Sequence, residues 1–369
     1  MKTRLSFFLL AVAMVCSAQL PQKAIEVDLP KMYQEVDEAI EQSPKFVHQY
    51  EESIDQAKQN YREAESDDQR LLLLLQISKL YEGFNGDSAL AYSLRCMDEA
   101  RKLGLADVEA DYQARSAYLC TFLGSQTEAL TLLGSIDRFK LSSEGVGIYF
   151  RAYLTAYEML ADHCKTPELQ KSFRRQYYAY RDSLLRSVPE ESELYYFYRE
   201  DQLIKEGKLQ QALKMNDQRL NQATPDSHDD AIIAYSRYRI YQKQGNRELA
   251  LYWLCRSALA DIRNSVMDQM SLISLAQELD ADGDFERASR YISYTWESNR
   301  KFSPNMRSWQ IAPLLSAIEN NFQRKLDQQR HRFYLYTICS SSLVLLLLII
   351  ILYGRYQRRK HPQHPTEST

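Results

Sequence analysis

Five glycines each stand five positions ahead of an alanine: Gly86 and Ala91, Gly124 and Ala129, Gly207 and Ala212, Gly245 and Ala250, Gly283 and Ala288. From 86 to 124, and again from 207 to 245 to 283, the step is constant at about 38 residues. The longer interval from Gly124 to Gly207 holds two such steps and a short insertion. A further unit therefore belongs there, turning near residues 162–167. A period of this size means a stack of like units, each burying its apolar face on its neighbour. The last unit shows its construction. Leu272, Leu275, Ala276 and Leu279 form one apolar face, Gly283-Asp284 follows, and then Ala288, Tyr291 and Ile292. Spacings of three and four make each half a helix. The glycine supplies a positive φ at the end of the first helix. The alanine sits where the two helices cross closest. An all-α solenoid of about seven helical pairs is expected.

Composition agrees. Eleven glycines and ten prolines among 369 residues leave few hairpin turns, which argues against all-β and collagenous folds. The 26 tyrosines suit an array with much half-buried surface, since a phenol can pack on one side and stay wet on the other.

Helix–turn–helix units of this kind resemble the tetratricopeptide repeat, here somewhat longer than its usual length of about 34 residues. Its small residue at the eighth position of the first helix is matched by Ala117 and Ala276, while Glu200 and Tyr238 depart from it. Ahead of the repeats, residues 31–41 and 45–65 read as a pair of charged helices. Ser43 caps the second and Pro44 opens it. Behind the repeats, residues 305–332 read as one long helix kinked at Pro313.

Two apolar segments set the compartment. Residues 1–18 have a basic start (Lys2, Arg4), an apolar run and small residues Cys16, Ser17 and Ala18 ahead of Gln19, the pattern of a bacterial secretory signal. Lipidation at Cys16 is the rival reading, disfavoured by the large Val15 before it. Residues 333–353 carry no charge and are long enough to cross a hydrocarbon core of roughly 30 Å. Tyr334, Tyr336 and Tyr353 stand at its ends. The expected arrangement is a signal peptide (1–18), an N-terminal helical pair (19–66), repeats (67–302), a juxtamembrane helix (303–332), a membrane span (333–353) and a short cytoplasmic tail (354–369). That is a single-pass protein of a bacterial inner membrane with its N-terminal bulk in the periplasm. The tail carries Arg355, Arg358, Arg359 and Lys360 as the positive-inside rule asks, but Arg324, Lys325, Arg330 and Arg332 make the outer flank basic too.

The signal and the tail are net basic, so residues 19–353 carry a net −8. An acidic, exported region is a poor partner for nucleic acid. Cys96, Cys120, Cys164 and Cys255 remain outside the signal and the span, with no CxxC spacing. Buried free thiols are expected, and Cys96 with Cys120 is the one disulfide pairing worth testing.

The run EVDEAIEQSPKFVHQYEESIDQAKQ (35–59) and then LYEGFNGDSALAY (80–92) resemble the start of a family of Bacteroides-type inner-membrane transcriptional regulators. ALADIRNSVMDQMSLISLA (258–276), GDFERASRYI (283–292) and MRSWQIAPLL (306–315) resemble its later part. The resemblance implies a periplasmic tetratricopeptide-like sensor region behind a signal peptide, one membrane helix, and then a cytoplasmic coiled coil with an effector domain. Only a short stretch follows Tyr353, with Pro362 and Pro365 in it, so the effector part is not expected in this chain.

Motifs for chemistry are absent. No GxSxG, GxxxxGK, HExxH or GxGxxG occurs, and Gly145-Val-Gly147 is a bare GxG without a preceding strand. No two of the six histidines stand four apart on a helix with a carboxylate beside them, so no metal and no cofactor is expected. The aromatic runs at 177–180 and 195–198 are expected to pack between repeats rather than to form a ligand platform. These readings point to binding rather than catalysis. A sensor or protein-binding scaffold comes first and a passive adaptor of an envelope or polysaccharide-handling assembly second. Partners would be proteins of the periplasm or membrane, or a second copy of the chain. Ser340, Ser341 and Ser342 would let two membrane helices approach closely.

Overall fold

A computed structural model describes residues 27–303 and 308–360. The expected signal segment and the end of the tail lie outside the described residues. Within them the chain is all helical, with no strand. A long helix α1 (Leu29–Glu63) precedes six helical pairs. These are α2 (Asp67–Glu82) with α3 (Gly86–Leu103), and α4 (Ala106–Phe122) with α5 (Gln126–Gly134). Then come α6 (Ser143–His163) with α7 (Pro167–Ser187), and α8 (Glu193–Lys205) with α9 (Leu209–Gln222). The last are α10 (His228–Gln244) with α11 (Arg247–Arg263), and α12 (Met270–Ala281) with α13 (Phe285–Phe302). Helix α14 (Ser308–Lys360) ends the description. The interpolated unit is α6 with α7, and its turn falls at residues 164–166.

Four of the five glycines sit at one kind of turn. Gly124, Gly207, Gly245 and Gly283 have φ between 75° and 86°. The amide of the residue after each closes back on the end of the preceding helix. Asn246 N donates to Tyr241 O at 3.0 Å, and Asp284 N to Leu279 O at 2.9 Å. The left-handed glycine lets the chain reverse while these carbonyls stay bonded. The next residue then starts the second helix, and Asn246 and Asp284 cap it with their side chains. Ala129, Ala212, Ala250 and Ala288 follow at 0–3% exposure.

The first repeat departs from the expected register. Asn85 caps α3, and Gly86 is already helical and buried. Ala89, wholly buried, takes the place of the packed alanine, while Ala91 lies off the core. The pair Gly86 and Ala91 therefore stands out of phase with the other four. Gly86 is small for another reason: a β-carbon there would lie 2.6 Å from the Phe302 ring of α13.

The expected N-terminal pair is one helix. α1 begins at Asp28, whose carboxylate accepts from Lys31 N at 3.1 Å, and runs through Pro44 without a break. Val36 and Ala39 on one side of the proline seat in the core of α10–α13, and Ile54 and Ala57 on the other seat against α2 and α3. Burial at both ends outweighs the hydrogen bond that the exposed proline removes. The pair count is accordingly six.

This helix straps the last repeats to the first. Asp37 accepts from Tyr291 Oη at 2.8 Å and Arg287 Nε at 3.1 Å, which anchors the front of α1 on α13. The ends of the array also touch directly. Met267 N donates to Gly83 O at 2.8 Å and Asn85 Nδ2 to Lys301 O at 2.9 Å. Met267 and Phe302 pack with Val47, Phe84 and Phe122.

Two departures from the small eighth position have different fillings. Tyr238 is buried and donates to Glu278 at 3.3 Å. Glu200 is wholly buried and accepts from Arg219 and Asn216, each at 2.9 Å, while Arg237 donates to Asn216 at 2.7 Å. A buried charge needs such company. The cysteines of the described residues are free, and burial pushes the Cys96 and Cys120 thiols up to about 12.

Candidate ligand-binding groove

The first helices of successive pairs line up so that α2, α4, α6 and α8 share one wall. Their side chains, with those of the turn before α8, line an open groove of about 610 Å³. Ile148, Leu194, Val188 and Pro189 make its apolar lining. Its charged groups are two arginines and three carboxylates, Arg115, Arg151, Glu82, Glu144 and Glu193. Apolar walls with a few converging polar groups are the common make-up of ligand sites.

Gly147 allows the groove wall to close up. A β-carbon there would meet Leu194 Cδ1 at 2.7 Å and Val188 Cγ1 at 3.3 Å. Gly145 has a different neighbour: a β-carbon would fall 1.7 Å from Asp111 Oδ1. That carboxylate accepts from Ser142 N at 3.0 Å and from the Ser142 hydroxyl, and Ser142 in turn caps α6. Burial raises the Asp111 carboxyl above its usual range, a rise that the two Ser142 bonds partly offset. The GxG pattern thus seats a carboxylate and a neighbouring helix.

The two arginines differ in their company. Arg115 of α4 is held by Glu82 of α2 and by Glu144 of α6, the latter at 3.1 Å, so it ties three repeats together. Arg151 of α6 lies over the Tyr118 ring, its guanidinium carbon 4.4 Å from the centroid. Among the described residues no carboxylate stands within ion-pair distance of Arg151, and no acceptor takes its N–H groups. A guanidinium offers five donors in a planar fork. With the ring covering one face, its edge is left for an acceptor in the groove. Glu193 at the far side is committed to Arg219.

The aromatic runs at 177–180 and 195–198 contribute packing, as expected. Tyr177 and Tyr198 are buried, and Tyr153 stacks on Tyr180 at 4.2 Å between α6 and α7. Of the repeat residues flagged in the sequence, none lines the groove; they build the turns and crossings behind it. Arg115, Tyr118 and Arg151 carry no motif, and only the spacing of three between the first two on α4 hints at a shared face. Among the described residues, no three His, Cys, Asp or Glu side chains converge as metal ligands would.

Helix α14 completes the frame. Ile311 and Ile318 bury against the last repeats, and the helix continues unbroken to Lys360. It is the one described helix long and apolar enough to cross a membrane. From residue 330 to 357 its side chains are exposed.

A family model described as the SusR N-terminal TPR domain matches residues 40–313, from the middle of α1 to the first turns of α14. A search of curated proteins finds no match.

Proposed function

The chain belongs to the SusR N-terminal TPR domain family, and from that membership we propose that it is a membrane-anchored sensor or protein-binding scaffold, working by binding and not by catalysis. In this reading residues 1–18 direct export, the repeats stand in the periplasm, and α14 crosses the inner membrane once. The signal-like pattern at the N-terminus and the basic residues after Tyr353 support that orientation. The groove of α2, α4, α6 and α8 is where the ligand or partner segment enters.

The observation that carries the reading is Arg151. Its guanidinium lines the groove beside the Tyr118 ring with its N–H groups open to an acceptor supplied by whatever enters. An apolar segment ending in a carboxylate or a carbonyl meets both the wall and the fork. The test is a crosslinking pull-down of tagged full-length protein from membranes, wild type against Arg151→Gln. Partners that enter the groove should be depleted several-fold in the variant. An unchanged set would remove the groove from the proposal.

A further inference from the structure

The stripe of α14 that packs on the last repeat changes chemistry as the helix leaves it. Ile311, Leu314, Leu315 and Ile318 lie against the core. At spacings of three and four, the same stripe continues as Asn321, Lys325, Gln328 and Arg332, with Arg324 beside it. The first members still grip the solenoid. Asn321 donates to both carboxylate oxygens of Asp280 at 3.1 and 3.0 Å, and Lys325 donates to Gly283 O at 3.2 Å. Beyond them the repeat ends. Arg324, Lys325 and Arg332 line an open depression of about 400 Å³ whose apolar floor is Phe285.

Among the described residues no carboxylate lines this depression. Among the described residues, neither Arg324 nor Arg332 has a carboxylate within ion-pair distance. The nearest such pair on the helix, Arg330 with Asp327 at 3.9 Å, lies outside it. Position along the helix then names the occupant. Arg332 directly precedes the uncharged run that begins at Phe333. Lys325 lies two helical turns ahead of that run, roughly 12 Å along the axis. A headgroup layer extends roughly 5–8 Å beyond the hydrocarbon. Arg332 falls inside it, Arg324 reaches its outer rim with a long side chain, and Lys325, held on Gly283 O, marks the end of the depression away from the bilayer.

We propose that this depression binds the phosphate of an anionic phospholipid in the leaflet that faces the repeats. Three cations without a carboxylate beside them supply the phosphate's partners. The same site explains why the flank on the repeat side is basic although the tail beyond the span is basic too. It also fixes how the last repeat sits on the bilayer, because Asn321 and Lys325 belong to the repeat and to the depression at once.

The test uses full-length protein in a neutral detergent, with dihexanoyl phosphatidylglycerol as the probe and binding followed by titration calorimetry. Dihexanoyl phosphatidylcholine and inorganic phosphate are the comparison arms. The glycerol lipid should bind one to one and the choline lipid at least tenfold more weakly. Inorganic phosphate at equal concentration should not displace the lipid. Arg324→Gln with Arg332→Gln should weaken binding roughly 30-fold, at about a fivefold loss per surface cation. Arg330→Gln should leave it unchanged. Circular dichroism of each variant should match wild type, since neither arginine is bonded to the repeats. Equal affinity in the double variant, or equal affinity for the two lipids, would overturn the proposal. Displacement by inorganic phosphate would assign the site to a free anion instead and overturn the lipid.

Discussion

Ala288 and Ala91 hold the same rank in the sequence pattern and different positions in the fold. Ala288 is wholly buried among Leu279, Tyr291 and the helices that cross there, so Ala288→Leu should overpack it and lower stability by about 1–3 kcal/mol. Ala91 lies off the core, and Ala91→Leu should stay within about 0.5 kcal/mol of wild type. Urea unfolding of the two variants reads the difference, and equal losses would mean that the first repeat does follow the common register. The turn glycines were legible because a left-handed residue leaves a mark at one fixed place. Gly86 was misleading because a glycine that makes room for Phe302, on the far side of the sequence, looks the same on paper. Arg151 was not legible at all: an arginine without a partner differs from one with a partner only in three dimensions. Asp201 gives a pH test at this scale. Burial opposes its charge, but Lys205 at 2.7 Å and Arg239 at 2.8 Å outweigh that and hold its carboxyl below the usual carboxylate range. A depressed carboxyl stabilises the fold above its unfolded pKa and loses that contribution as pH falls through the folded one. Asp201→Asn should therefore lower the melting temperature at pH 7 and flatten the decline below about pH 4, where scanning calorimetry can follow both.

Among the elements, α1 shows what local signals omit. Ser43-Pro44 has the chemistry of a helix start, yet α1 passes through it because its two halves bury in different cores. Pro44→Ala separates the two arrangements. In a continuous helix the alanine restores a backbone hydrogen bond at an exposed site and should stabilise by about 1–3 kcal/mol. Were Pro44 the first residue of a second helix, the same change would be neutral or slightly destabilising. Thermal and urea unfolding of the variant beside wild type resolve these. The helical character of α14 was plain from its uninterrupted apolar run, whereas its grip on Asp280 and Gly283 depends on where the last repeat ends.

Across the whole molecule, the joined ends matter most. Repeat arrays usually contact only their neighbours and can unfold piecewise. Here α1 and the contacts of Phe302 with the first repeat tie the first unit to the last, so unfolding should be a single transition. Phe302→Ala should cost about 3–5 kcal/mol and split the calorimetric peak, with hydrogen exchange lost first at α2 and α3. The order of the repeats was readable from the even step between turn glycines; their meeting end to end was not, because the contacts lie between segments with no shared pattern. That frame is what presents the α2–α8 groove to a ligand or partner segment. The direct measurement is site-specific photocrosslinking of the full-length protein in intact membranes. A photoreactive residue replacing Ile148 should form a discrete adduct that disappears with Arg151→Gln, and one replacing Leu169, exposed on α7, should form none. An adduct at Ile148 indifferent to Arg151, or equal labelling from Leu169, would rule out binding in the groove.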